Sequence, residues 1–290
     1  MLTTNPALGV YDYYGTFGSF NSRTDLTYDV TFFWWSAWYV KGSVYAACNA
    51  ARSRGRIPVI TVQPNHDPAI GTAANLLTDV AAGRYDAKIR LIASEMVAYN
   101  GPVIIRFAHE MDLPTNATQN GGRYDWAIPT QGVASPAYIA AWNRAINLFR
   151  SLVRQAKAMW SPAGQPWCNA YYPGAVVDYV GLSCYSFPSY DLKFYGRVRP
   201  YHELMQQKYG TVYVHYKPVI LAEFAAAALT GYQATWVAAA LTDTRIYWDS
   251  LPAPWPHIVG ICYFNAKDTG GPWVPGGPIP DWSINPMLFK

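Results

Sequence analysis

A chain of 290 residues with 51% hydrophobic content can bury one large core, and α/β barrels commonly reach this size as a single domain, here 1–290. The formal charge of +4 is modest and no block of basic residues occurs, so counterion-driven nucleic-acid binding has little to stand on. No run approaches the roughly 18 uninterrupted apolar residues of a membrane-spanning helix, and the start MLTTNPALGV lacks the basic and apolar regions of a signal peptide.

In chain order, short apolar runs recur at LGVYDYY from Leu8, YDVTFFWW from Tyr28, IPVITVQ from Ile57 and PVIIRFA from Pro102. The second half continues with AMWSP from Ala158, DYVGLSC from Asp178, PVILAEF from Pro218 and IVGICYF from Ile258. Most are continuous rather than alternating, as strands covered on both faces should be. Helix-like stretches fall between several of them. GSVYAACNAARSRG ends on Gly55, YDAKIRLIASEMVAYNG ends on Gly101, and a long stretch opens with Ser135 as N-cap and Pro136 at the first helical position. A weaker fourth begins ATWVAAAL. Strand and helix in alternation around eight parallel strands predict a (β/α)8 TIM barrel. Residues 112–134 and 265–281, rich in Gly, Pro and Asn, read as long rim loops, and loops of that length usually serve a site. Cys48, Cys168, Cys184 and Cys262 have neither metal-ligand spacing nor the density of a disulfide scaffold, which leaves buried thiols or one disulfide.

Aromatic residues, at 16%, outnumber charged ones, at 14%, and supply flat, partly polar surface suited to a sugar. Of the four glutamates, Glu95 and Glu203 lie in helix-like stretches and read as solvated. Glu110 and Glu223 instead end the strand-like runs PVIIRFAHE and PVILAE, at the rim where barrel enzymes keep their catalytic groups. Either could also be a rim carboxylate paired with Arg106 or Lys217. Period two puts Arg106, Ala108 and Glu110 on one side of the strand if it stays extended that far. Arg106 would then hold a carboxylate, or form a barrel-floor salt bridge. Two carboxylates across a barrel mouth suit glycoside hydrolysis: one protonates the leaving oxygen while the other attacks the anomeric carbon or activates water.

The chain resembles glycoside hydrolase family 26, a family of retaining (β/α)8 glycosidases, over most of its length. RFAHEMD is similar to the family's strand-four motif, VVDYVGLSCYSF to its strand-six segment, KPVILAEFAAA to its nucleophile strand, and IVGICYFN with DWSIN to its last strand and trailing Asp-Trp segment. The resemblance implies Glu110 as acid/base, Glu223 as nucleophile, Tyr185 as a hydroxyl donor to the nucleophile and His109 beside the acid. It also implies sugar contacts from Trp35, with Trp34 facing away, from Trp126, from Tyr263 where many relatives have tryptophan, and from Trp282. Strand three ends VQPNHD, which makes Gln63 and His66 candidate subsite residues.

The departures from the family lie after Asp112, where an insertion, LPTNATQNGG, precedes RYDWAIP. Substrate preference does not carry across that segment. The expected activity is retaining endo-hydrolysis of β-1,4 bonds in a mixed-linkage β-glucan or a β-mannan, by a monomer without metal or organic cofactor. A secreted, periplasmic or cell-surface location follows from the family. Two alternatives stay open: a non-catalytic polysaccharide-binding barrel tied to exopolysaccharide synthesis or export, and a hydrolase of aryl glycosides or short oligosaccharides. The five histidines are scattered, with no His-Glu-x-x-His helix, and no nucleophile elbow for serine catalysis occurs.

Overall fold

The structure, a computed structural model, describes residues 6–13, 18–35, 39–113, 124–127, 135–250, 258–268 and 272–290, without the side chains of 18–19 and 245–250. Eight parallel strands close into a barrel in sequence order: β1 Ala7–Asp12, β2 Leu26–Trp34, β3 Ile57–Gln63, β4 Val103–Phe107, β5 Ala156–Trp160, β6 Tyr179–Ser186, β7 Val219–Ala226 and β8 Ile258–Asn265. Pairing of β1 with β8, from Ala7 opposite Gly260 to Asp12 opposite Asn265, closes the ring. Around it lie α1 Gly18–Asn21, α2 Ser43–Ser53, α3 Leu76–Ala81, α4 Asp86–Tyr99, α5 Pro136–Leu152, α6 Pro188–Tyr195, α7 Tyr201–Val212 and α8 Tyr232–Ser250. All eight expected strands are present. The alternation with helices breaks between β5 and β6, where residues 161–178 hold one 3-10 turn, Cys168–Tyr171, in place of an α-helix.

Local chemistry accounts for the helix ends. Ser135 accepts a hydrogen bond from Tyr138 N at 3.3 Å and Pro136 supplies a pre-set φ, which together start α5. Helix α4 stops one residue earlier than its glycine suggested, because Asn100 itself takes the left-handed conformation, φ 51°. Glu95, expected on a solvated face, is buried. Its carboxylate accepts from the backbone N–H groups of Gly42 (2.7 Å), Val44 (2.9 Å) and Tyr45 (3.1 Å), and so caps the start of α2 from a neighbouring helix. An anion there satisfies orphan donors and complements the positive end of the helix dipole. Glu95→Ala is accordingly expected to lower unfolding free energy by about 2–3 kcal/mol, since one buried and two part-buried N–H groups lose a charged acceptor. Urea denaturation followed by circular dichroism checks this, and a loss under 0.5 kcal/mol would refute the cap.

Two apolar layers result. Between barrel and helices pack residues such as Phe107, Trp142, Phe149, Val180 and Leu221. Inside the barrel sit Tyr28, Val30, Val59, Ile104, Met159 and Ile220. Gly9 and Gly260 admit the Tyr28 ring: a Cβ on either would stand 2.6 Å from Tyr28 Cβ or 2.9 Å from its Cε2. All four cysteines are buried free thiols. No helix among the described residues is long and apolar enough to cross a membrane.

Candidate active site

Two backbone irregularities deliver the glutamates. Strand β4 ends at Phe107, and both Ala108 (φ 49°) and Glu110 (φ 52°) adopt left-handed conformations unfavourable to residues with a Cβ. The strand does not stay extended to Glu110, so the two-residue alternation from Arg106 does not reach it; the left-handed turn aims the side chain instead. Surrounding bonds hold that turn. Ala108 N donates to Val62 O (3.1 Å), Tyr138 OH to Ala108 O (3.2 Å), Glu110 N to Ser161 O (2.7 Å), and Trp126 Nε1 to His109 O (2.6 Å). Asp112, also buried, accepts from the N–H groups of Ala163, Gly164 and Gln165 at 2.7–3.0 Å and ties the end of β4 to the loop after β5.

On β7 the device is a bulge. Leu221 pairs with Leu182 but the next β6 residue, Ser183, pairs with Glu223, so Ala222 and Glu223 oppose a single step. Strict alternation from Ile220 and Ala222, both in the inner layer, would send Glu223 outward. The extra residue turns it inward beside Ala222, and Phe224 resumes the outer layer.

Glu223 is gripped on both oxygens. Arg106, fully buried, donates Nη1 to Oε1 at 2.6 Å and Nε to Ser161 Oγ at 2.8 Å, while the Tyr185 hydroxyl donates to Oε2. His109 Nε2 stands 3.8 Å from Oε1. Burial, then the Arg106 charge, push the His109 ring well below the usual histidine range, which leaves it neutral. One carboxylate oxygen each of Glu110 and Glu223 and a ring nitrogen of His109 all lie within 4.8 Å of one another. Glu110 is pushed up to about 7 by burial and then by the charge of Glu223, with Arg106 opposing. The site thus holds two carboxyl groups in different surroundings, one pinned by donors and one inclined to keep its proton. The same trio offers three ligand atoms to a cation. A metal there would have to compete with the guanidinium already on Glu223.

Aromatic rings wall the site. Tyr11 lies 4.8 Å from Phe32 and 4.9 Å from Phe264, Phe32 is 5.6 Å from His109, and Phe264 is 5.8 Å from Tyr185. Tyr124 stacks on Trp126 at 4.4 Å and points its hydroxyl at Glu110 Oε2, 3.5 Å away. Tyr11, Phe32, Tyr124 and Phe264 were not among the expected residues. Alternation on β2 and β8, counted from Val30 and Cys262, would have found Phe32 and Phe264.

The residues expected to contact sugar occupy varied places in the fold. Trp35 is 1% exposed on the helix side of the barrel, stacked 5.3 Å from Tyr85 with Nε1 on Asn65 O, while Trp34 is 55% exposed. Tyr263 faces the outer layer, where its ring packs 5.4 Å from Phe289 and its hydroxyl meets Gln233 at 3.2 Å, because one step along β8 reverses the side. Trp282 and Trp126 are buried as supports, under Tyr185 (4.9 Å) and Tyr124 respectively, with no face open to a ligand. His66 pins the rim: its Nδ1 and backbone N both meet Asp125 Oδ2 at 2.8 Å. Gln63 is buried. Most of the expected insertion after Asp112, residues 114–122 of 113–122, lies outside the described residues.

A scan of the sequence against protein-family profiles finds no match. Endoglucanase H of Acetivibrio thermocellus is 26% identical over 246 residues, covering 82% of this chain and 24% of that protein, so the chain spans about a quarter of the curated relative. Among solved structures, GH26C from a Muricauda species superposes with a TM-score of 0.63 at 16% identity, covering 95% of this chain and 82% of that one. A beta-mannanase from a symbiotic protist of the termite Reticulitermes speratus, complexed with gluco-manno-oligosaccharide, gives 0.55 at 13% identity, covering 99% and 86%. At these identities the structures speak for the fold. In sequence and fold together the chain is similar to glycoside hydrolase family 26, as its motifs indicated.

Proposed function

We propose that this chain is a glycoside hydrolase that cuts internal β-glycosidic bonds of a polysaccharide with retention of configuration. One observation carries the reading: two buried carboxyl groups with oxygens within 4.8 Å, one held on both sides by donors and the other pushed up to about 7. That proximity favours the retaining geometry, with carboxyl groups about 5–5.5 Å apart, over the wider separation of roughly 6.5–9.5 Å in an inverting pair.

In the first step Glu110 gives its proton to the glycosidic oxygen while Glu223 attacks the anomeric carbon. The bond to the leaving sugar breaks and a glycosyl ester forms. Esterification removes the charge of Glu223, one of the causes that hold Glu110 up, and Glu110 becomes a base. It then takes a proton from water as the water attacks the same carbon, and the carboxylate of Glu223 is restored. Arg106 and Tyr185 fix the plane of the nucleophile, and neutral His109 closes one side. The wall of Tyr11, Phe32 and Phe264 offers apolar faces to a pyranose ring.

Likeness to a protein named endoglucanase and to mannanases supports a β-1,4-linked glucan, including mixed-linkage glucan, or a mannan as substrate class. A polymer substrate of this kind favours work outside the cytoplasm. Incubation with mannan, lichenan, carboxymethylcellulose and xylan, while new reducing ends are followed, tests the activity; the anomer first released, read by proton NMR, tests retention. Binding without cleavage would transfer the reading to a polysaccharide-binding barrel. Tyr185→Phe, which leaves Glu223 Oε2 without its donor, is expected to lower kcat about 10- to 100-fold, equivalent to about 1.4–2.7 kcal/mol of transition-state stabilisation. A KM change with unaltered kcat would contradict that role.

A further inference from the structure

A run of rings leads out of the carboxylate site onto α6. Trp273 lies 5.5 Å from Tyr185 and 6.4 Å from Tyr190, and Tyr190 lies 4.5 Å from Phe194. Trp273 is fixed by its Nε1 donating to Asp268 Oδ2 at 2.7 Å and by contact with Trp282 at 5.1 Å. Helix α6, only eight residues long, exposes Leu192 at 56%, Phe194 at 50% and Tyr195 at 51%. Tyr195 is held in place: the Arg199 guanidinium lies 3.6 Å from its ring centroid, and buried Asp191 fixes that guanidinium through bonds of 3.0 and 2.7 Å.

Large exposed apolar side chains gathered on one short helix signal an interaction. Three features favour a carbohydrate over a protein. Large rings held rigid cost a ligand little ordering entropy and present the flat apolar faces on which pyranose rings stack. The ring-to-ring steps begin at Tyr185, which touches Glu223, so the shelf is continuous with the cleft. A helix about 12 Å long also offers far less than the roughly 800 Å² per partner of a stable protein interface.

We propose that Tyr190, Phe194 and Trp273 form a distal subsite for the same polysaccharide chain, holding neutral β-linked hexose units beyond the pair that flanks the cleaved bond. This rests on the reading of the carboxylates as a glycosidase site. The ligand class is a long, unbranched stretch of glucan or mannan, since the shelf lies three successive ring steps out from Tyr185.

The test compares wild type with Phe194→Ala on lichenan and mannan and on aryl cellobioside and mannobioside, with native-gel retardation by each polysaccharide run in a Glu223→Gln background. Phe194→Ala is expected to reduce the polymer-to-bioside ratio of kcat/KM about tenfold and to abolish most of the retardation. An unchanged ratio with unchanged retardation overturns the subsite. So does sedimentation showing a wild-type dimer that Phe194→Ala dissolves, which would make α6 a contact between copies. If the wild type cuts nothing yet is retarded, and Phe194→Ala is not, the hydrolase reading fails while the sugar shelf stands. A wild type that no polysaccharide retards ends the shelf as well.

Discussion

Replacing Glu223 with glutamine is expected to lower kcat on whichever polysaccharide the wild type cuts by on the order of 10⁴- to 10⁶-fold, the range seen when a covalent nucleophile or its partner is removed. The amide cannot form the glycosyl ester, and the loss corresponds to about 5–8 kcal/mol of barrier. The same change has a structural cost that must be kept apart from the chemical one. Arg106 is fully buried and its Nη1 sits 2.6 Å from Glu223 Oε1. Without the anion the guanidinium is left in the barrel interior with neutral acceptors, a situation that typically destabilises by about 3–5 kcal/mol. A lowered melting temperature with a native circular-dichroism spectrum at assay temperature is therefore part of the expected result. In Glu223→Ala the vacated space admits a small anion such as azide, which would attack the anomeric carbon from the side Glu223 used and release a glycosyl azide of inverted configuration. Release of ordinary product by the variant at the wild-type rate would remove Glu223 from the mechanism.

The barrel was legible because fully covered strands are written as continuous apolar runs, and eight such runs are difficult to arrange otherwise. Helix α5 was legible because Ser135 and Pro136 mark its start. What the sequence hid is phase. PVILAEF carries no sign of the bulge that makes Ala222 and Glu223 share one step, and alternation alone would have turned Glu223 toward the helices. Nothing in RFAHE announces two left-handed residues with side chains, since the rule of thumb reserves that conformation for glycine. The glutamates were found by position at strand ends and by resemblance; their inward aim comes from tertiary packing. Phase also explains where the expected aromatic residues lie. Trp35 and Tyr263 each lie one residue from a side chain on the other face, and Phe264, not Tyr263, is the ring that meets Tyr185. Glu95 was misread for a different reason: charge suggests solvent unless the acceptor's partners, here the N–H groups at the start of α2, are known.

Removing the acid/base should have an effect that depends on the leaving group. Glu110→Ala is expected to reduce kcat/KM on polysaccharide by about 10²–10⁴-fold, since an alkoxide departs poorly without a proton. On an aryl glycoside whose phenol leaves unaided, glycosylation of Glu223 should be nearly spared while hydrolysis of the ester slows. The glycosyl enzyme then accumulates, and a burst of phenol followed by slow turnover is the signature. The pH dependence has a definite sign. Burial and the charge of Glu223 raise Glu110 from 4.5 to about 7, so the catalytically active protonated form is lost as pH rises through about 7. Wild-type kcat/KM on polymer should fall on that side, and Glu110→Gln, low in activity throughout, should lack the descending limb. Stability follows the same linkage. A group raised in the folded state binds its proton more tightly there than in the unfolded chain, so its contribution is fully present below pH 4.5 and is lost as pH rises through about 7. Glu110→Gln should flatten the decline in unfolding free energy across that window. A wild-type basic limb that persists unchanged in Glu110→Gln would assign the titration, and with it the acid, to another residue.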